Sequence, residues 1–345
     1  MIKSAKVKQA LVQLIIAFLI SLFASHYLEY YETQLILPFR NLLYFGEISS
    51  IENSSGLPET YYEFSEKPVV NPVHVAQSAN AEALAILQNQ LTIDDIGFSN
   101  AKHKILMAAN QLVDILEITR SNNQMFGRWP YEFEYPYYNL EPPWYSGMAQ
   151  GLGIEVLLAA YVVSGEGEYL DAAILAGKAM EIEVRNGGVS TKVANDALWF
   201  EEYASANAEP PYVLNGHIFA LEGLWYLKGY SPEFQSTYEA GLQALKQLLP
   251  KFDRYVWSQY DLVGTPANPK YQRLHVRLLK ELAQRDYDSL FIYYADKFER
   301  QIYMPFGLTY RLIYAPTTMM MGILILNSLL IFLVLSFSRR ILSRG

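Results

Sequence analysis

The chain has 345 residues, 51% hydrophobic and 14% aromatic, with a formal net charge of −8. That length can bury a sizeable core, in one large or two small domains. The absence of cysteine excludes disulfides, thiolate metal sites and a cysteine nucleophile. The negative balance argues against general nucleic-acid binding, so an acidic polymer would need a local cationic groove.

The first element is apolar: ALVQLIIAFLISLFASHYL, residues 10–28, preceded by Lys3, Lys6 and Lys8. Its counterpart is TTMMMGILILNSLLIFLVLSF, residues 317–337, followed by Arg339, Arg340 and Arg344. Each holds the roughly 20 apolar residues that cross a bilayer as a helix. Tyr27, Tyr30 and Tyr31 after the first, and Tyr303, Tyr310 and Tyr314 before the second, suit interfacial aromatic belts. Basic residues at both extremes predict two spans, with both termini cytoplasmic and the rest exoplasmic, in periplasm, extracellular space or Golgi lumen. Arg311 is on the wrong side for that rule. A cleaved signal peptide is the alternative for residues 1–28, although no A-x-A site follows.

Residues 29–76 read as an irregular linker with short strands, rich in Pro, Gly, Asn and Ser. They carry the sequon Asn53-Ser54-Ser55. From 77 to 311 helical periodicity recurs, in AEALAILQNQL, AKHKILMAANQLVDILEITR, GMAQGLGIEVLLAAYVVSG and EYLDAAILAGKAMEIEV. It returns in NGHIFALEGLWYLKGY, FQSTYEAGLQALKQLLPKF, YQRLHVRLLKELAQR and SLFIYYADKFERQIY. Helical hairpins repeating roughly every 55–70 residues predict an all-α fold, an (α/α) toroid or barrel with short β-segments in its loops. Residues 312–338 then form the second membrane helix and 339–345 a basic cytoplasmic tail.

The long loops between hairpins are aromatic: FGRWPYEFEYPYY, NGGVSTKVANDALWFEEY and DRYVWSQYDLVG. The five histidines are scattered, with no metal-binding spacing, and no phosphate loop, nucleophile elbow or dinucleotide fingerprint is present. No metal or cofactor is expected. What remains is tyrosine and carboxylate: Glu201, Glu202 and Tyr203 in one loop, Tyr260 and Asp261 in another, and Tyr271 with His275 one turn on, on the same helix face. Read alone, Glu201 and Glu202 are surface charges. Lys270, Arg273, Arg277 and Lys280 form a cationic stripe, which is a solvated face or one wall of a groove for an acidic polymer. Trp144, Tyr145 and Gln150, in LEPPWYSGMAQG, are a sugar platform or the layer packed beneath one.

These runs resemble a known family. LEPPWYSGMAQG, WFEEYA, YVLNGHIFALEGLWYL, QYDL and the Tyr271…His275 helix are similar, in order and spacing, to the C-terminal catalytic domain of D-glucuronyl C5-epimerases. The likeness runs from about Ala79 to Tyr303. It implies an (α/α) toroid that epimerises D-glucuronate to L-iduronate within a glycan without a cofactor, in a family that tends to dimerise. By resemblance Glu202, Tyr203, Tyr260 and Tyr271 hold the acid/base and carboxylate-contact positions. Trp144, Tyr145, Gln150, Arg128, Asn215, Lys270, Arg273 and His275 form the substrate-binding set.

The chemistry needs two proton-transfer groups on opposite faces of C5, plus donors or a cation at the substrate carboxylate. Tyrosine serves if its phenolate is stabilised by ~3 pKa units, on the order of 4 kcal/mol, for which a neighbouring Arg or Lys is the natural source. Tyr260 and Tyr271 are the preferred pair and Glu202 the next base. The family's arginine after Tyr-Asp-Leu is Val263 here, for which Arg128, Arg254, Lys270 or Arg273 would substitute. The family's Asp-Tyr-His is Lys270-Tyr271-Gln272. The large β domain and single span of animal members are not matched. A lyase sharing the first half-reaction, and a non-catalytic membrane protein that binds glycan or organises its assembly, are the alternatives.

Overall fold

The computed structural model describes residues 2–43, 51–52, 58–62, 64–65 and 67–342. The sequon at 53–55 and Arg344 lie outside them. The chain is 65% helical, so the all-α class of helical hairpins with short β-segments in the loops stands. It divides into two compact units, 48–250 and the two terminal stretches 1–47 with 251–345. The division falls inside the domain expected over 77–311.

In the unit 48–250, a three-stranded antiparallel sheet of β1 (Ile51–Glu52), β2 (Pro58–Thr60) and β3 (Val69–Val70) precedes three helices. These are α2 (Pro72–Gln77), α3 (Asn80–Leu87) and α4 (Phe98–Asp114), and all pack on α5 (Gly147–Ser164). Asn71 caps α2, accepting the Val73 N–H, and Pro72 fills the first turn, where its missing donor is not needed. Helix α4 was expected to run to Arg120. It stops at Asp114, and Glu117–Ser121 (β4) pairs with Gln124–Arg128 (β5) through a turn at Asn122 and Asn123, both at positive φ. The β-branched pair Ile118 and Thr119 favours this pairing over another helical turn.

Helix α5 is buried along Gly147–Ala160. Ser146 caps it, accepting the Ala149 N–H at 3.2 Å, and Gly165 ends it in the left-handed conformation that glycine tolerates. It forms hairpins with α6 (Gly167–Ala179) and crosses α7 (Leu214–Tyr230), which turns back as α8 (Gln235–Leu248). A Cβ on Gly151 would lie 2.2 Å from the Phe219 carbonyl oxygen, so this crossing needs glycine. Strands β6 (Ser190–Lys192) and β7 (Leu198–Phe200) form a second hairpin that delivers Glu201, Glu202 and Tyr203.

In the other unit, helix α1 (Ile2–Leu43) continues well past residue 28, and this corrects the expected linker from 29. The reason lies in its partners. Glu29 accepts a bidentate, buried ion pair from Arg311, and the Arg273 guanidinium sits 4.1 Å over the Tyr30 ring. Arg311, anomalous as a charge count, is therefore neutralised in place. The antiparallel pair α9 (Pro269–Asp286) and α10 (Ser289–Tyr303) leads through α11 (Gly307–Tyr314) to α12 (Thr318–Leu342). Helix α12 packs on α1: the hydroxyls of Ser21 and Ser328 meet at 2.7 Å, and Asn327 donates to Ser25 at 2.9 Å.

Among the described residues, three helical stretches are long and apolar enough to cross a membrane: Val7–Leu35, Gly147–Ser164 and Thr318–Arg339. The middle one is 78% buried inside its own unit, against 11% and 28% for the other two, which makes it core.

Candidate active site

Within the unit 48–250, β7 and the first turn of α7 build the surroundings of Glu202. Asn215 Nδ2 donates to Glu202 Oε2 at 3.1 Å, and a Cβ on Gly216 would lie 2.4 Å from both Cβ and Oε2 of Glu202. The LNG run is thus shaped around this carboxylate. His217 anchors the strand that carries it. Its Nδ1 accepts the Phe200 N–H at 2.9 Å, and its Nε2 donates to the Gly241 carbonyl at 3.1 Å. Burial, opposed by that carbonyl, pulls the imidazole down to about 3, so the ring is a neutral latch. It stacks on Trp199 at 3.9 Å.

Glu201 and Glu202 are both buried, contrary to their reading as surface charges. The backbone carbonyl of Glu201 accepts the Gly147 N–H at 2.6 Å, and its Oε2 accepts the Tyr212 N–H at 3.1 Å. Its Oε1 has no partner. Burial pushes the carboxyl up to about 8, against the opposing hydrogen bonds from Thr191 and Tyr212, so Glu201 is mostly protonated at neutral pH. A cleft of about 270 Å³ lies beside it, lined by Thr191, Lys192, Tyr203 and Ser205 among others. The sequence signal for Glu201 was slight: two acids directly after an aromatic strand, with no cation near in the chain.

Tyr203 belongs to an aromatic cluster. Its ring stacks on Tyr135 at 4.9 Å and lies 4.7 Å from Tyr138 and 5.6 Å from Trp144. Trp144 lies underneath, stacked on Tyr131 at 3.9 Å and donating its Nε1–H to the Phe133 carbonyl at 2.8 Å. Of the two roles weighed for Trp144, this is the supporting layer.

Tyr145 and Gln150 are corrected more sharply. The Tyr145 hydroxyl donates to Glu117 at 3.1 Å, and the Arg128 guanidinium covers its ring at 3.8 Å. Burial pushes that phenol up to about 12, with Arg128 opposing. Arg128 is itself engaged by Glu117 at 3.0 Å and by the Gly187 carbonyl. Gln150 is fully buried, and its amide donates to the carbonyls of Gly127 and Ala176, both at 2.9 Å. It ties β5 and α6 to α5. Polar residues at a helix mouth resemble a binding edge in sequence, but here backbone acceptors on neighbouring elements have claimed them.

In the other unit, Tyr260 and Tyr271 come together with ring centroids 4.7 Å apart. Asp261 shapes the first loop by accepting the N–H groups of Gly264 and Thr265, both at 2.9 Å. Asn268 caps α9 by accepting the Tyr271 N–H itself at 2.9 Å, which fixes the second tyrosine. Lys270 Nζ lies 5.9 Å from the Tyr271 ring centroid. The rest of the expected cationic stripe is spent on neighbours: Arg277 on Glu281 at 3.1 Å, Lys280 on Glu299 at 2.8 Å, and Arg273 on Tyr30. Arg254 is exposed in the loop before Tyr260, and Val263 is 61% exposed.

His275 does not share an exposed face with Tyr271. It is fully buried, and burial pulls it down to about 3. The Ser258 hydroxyl donates to Gln272 Oε1, so His275 Nδ1, 3.2 Å from that hydroxyl oxygen, acts as donor and Nε2 is left without a partner.

The family described as D-glucuronyl C5-epimerase C-terminus matches residues 122–300, more than half of the chain, including Glu202, Tyr203, Tyr260 and Tyr271. An uncharacterized protein of Methanocaldococcus jannaschii is 35% identical over 182 residues, 51% of this chain and 58% of that one. The D-glucuronyl C5-epimerase of Caenorhabditis elegans is 35% identical over 179 residues, 46% of this chain and 29% of that one. The chain therefore spans less than two thirds of the length of either relative. Among solved structures, the GH76 α-mannanase of Bacteroides thetaiotaomicron superposes with a TM-score of 0.46 at 12% identity, covering 95% of this chain and 86% of that one.

Proposed function

This chain belongs to the D-glucuronyl C5-epimerase C-terminus family, and from that premise we propose that it is a cofactor-independent epimerase acting at C5 of D-glucuronate in an exported polysaccharide. The observation that carries the reading is the tyrosine pair. Tyr260 and Tyr271 both lie within the residues the family matches and bring two phenols to 4.7 Å between ring centroids. Lys270 supplies a nearby cation.

One phenolate removes the C5 proton, alpha to the carboxylate, and the electron pair moves onto the carboxylate as an enediolate. A protonated group on the opposite face returns a proton to C5, inverting it. Each transfer typically contributes ~10²–10⁴-fold. Lys270 is the cation nearest in sequence to Tyr271, with its Nζ 5.9 Å from that ring centroid, and Glu202, in the other unit, is a separate candidate for the base. Two membrane spans, residues 7–35 and 318–339, hold the protein with its termini in the cytoplasm and its hairpins on the exoplasmic side.

The test is C5 deuterium incorporation, followed by NMR, from unsulfated glucuronate polymers in heavy water. Exchange with iduronate signals and no alkene is the expected result, and Tyr271→Phe should reduce it at least ~10²-fold. An alkene product means the lyase, in which the C4 oxygen leaves. Binding without exchange in the unmodified protein means the non-catalytic reading.

A further inference from the structure

The unit formed by 1–47 and 251–345 contains both exposed apolar helices and the tyrosine pair. Along α1 Lys8 and Gln9 are exposed, the exposed side chains from Ala10 to Phe23 are aliphatic or phenylalanine, and the first exposed tyrosine is Tyr27, followed by Tyr31. At 1.5 Å per residue, a hydrocarbon core of about 30 Å takes roughly 20 of these residues, so the boundary falls near His26. Helix α12 is set at the same level by its contacts with α1. The Ser21–Ser328 contact sets the register, and Met320, near its start, meets Arg311, which is paired with Glu29. Around that level the exposed rings of Tyr27, Tyr31, Tyr303, Phe306 and Tyr314 form an aromatic collar.

The tyrosine pair is built on this collar. His26 takes the Ile302 carbonyl at 2.9 Å and lies 5.9 Å, edge to face, from Trp257, three residues before Tyr260. Gln259 donates to Tyr310 at 3.1 Å. Arg273, two residues after Tyr271, covers Tyr30. Both tyrosines are therefore tied, by neighbours in sequence, to side chains at the boundary level.

We propose that Tyr260 and Tyr271 work at the bilayer surface and that the glycan they receive is attached to lipid in the same membrane. This rests on the epimerase reading for the chemistry but not for the geometry. A free polyanion approaching this level meets a protein of net charge −8. A lipid-attached chain is already confined there at high effective concentration.

The chain has no cysteine, so Val263→Cys gives a single labelling position beside Tyr260. The labelled full chain is placed in lipid nanodiscs with and without a headgroup nitroxide. A glucuronate oligosaccharide is then offered either coupled to a phospholipid in the disc or free in solution. Strong headgroup quenching, with binding to the coupled form at about 100-fold lower concentration, is expected. Absence of quenching overturns the placement. Equal binding of the two forms, or binding of neither, overturns the lipid-attached substrate. Preferential binding of the coupled form without C5 exchange supports this inference while removing the epimerase.

Discussion

Each unit seats its candidate loop on a buried, uncharged histidine from the helix that follows, and the two histidines are opposite tautomers. His217, under the Glu202 loop, accepts through Nδ1 and donates through Nε2, with both nitrogens satisfied. His275, under the Tyr260 loop, donates through Nδ1 and leaves Nε2 bare. The first arrangement locks a strand to two helices. The second holds a loop through one serine whose hydroxyl is shared with Gln272. The lesson is that the carboxylate of one unit is held by complementary packing, whereas the tyrosines of the other are held by caps and ring contacts.

The sharpest way to break the comparison is to disturb that packing. Gly216→Ala places a methyl where Glu202 already lies. It should cost about 1–3 kcal/mol of stability and roughly 10²-fold in exchange rate if Glu202 is part of the chemistry. Gly229→Ala, on the same helix with open space around it, is the matched control and should be neutral or slightly stabilising. Equal activity of the two variants would remove Glu202 from the mechanism.

A second effect, on the order of 4–5 kcal/mol at its limit, is in the pH dependence of stability. The unfolded chain protonates His217 below about 6.5 while the folded ring resists down to about 3, so its contribution falls as pH drops through that window. Glu201 behaves oppositely: the unfolded carboxyl loses its proton above about 4.5 while the folded one keeps it to about 8, so stability falls as pH rises between those values. Between 4.5 and 6.5 the two slopes cancel. The unit 48–250 should show a plateau there with losses on both sides, and Glu201→Gln should flatten the alkaline side. The other unit has His275, which contributes an acid-side loss. Native-state hydrogen exchange read on α7 and on α9 between pH 4 and 9 separates the profiles.

Smaller effects sharpen the same contrast. Nitrogen-15 NMR of the two imidazoles should report a protonated Nε2 in His217 and a protonated Nδ1 in His275; matching tautomers would undo the comparison. Val263→Arg restores the cation of the family pattern at an exposed position and should lower KM for the uronate a few-fold, on the scale of one exposed ion pair of about 1 kcal/mol.

The helices were legible because periodicity is local. Those from α5 to α10 each begin and end within two residues of a run whose apolar spacing marks them, or inside it. The misreadings depend on distant partners. Helix α1 extends past residue 28 where Glu29 meets a charge 282 residues away, and Ile118 leaves the helix because Gly127 pairs with it across a hairpin. At the site, Tyr260, Tyr271, Asn215 and Glu202 were all in the candidate set, whereas the contacts of Tyr260 with Tyr271 and of Asn215 with Glu202 are made by the fold. The burial of Glu201 could not be read from two acidic letters, since it depends on the Gly147 N–H arriving from another helix. Gln150 misled for the same reason: an amide advertises hydrogen bonding without saying whether the acceptor is a sugar or a backbone carbonyl.

The Arg311–Glu29 pair also has a meaning in time. Glu29 leaves the ribosome 282 residues ahead of the arginine that neutralises it, an interval on the order of half a minute at ordinary rates of synthesis. Throughout that interval the first helix carries an acid with no counterion, and a chain that stops short of Arg311 carries it permanently. The pair thus joins the helix made first to one made late, and only a chain extended past Arg311 can form it.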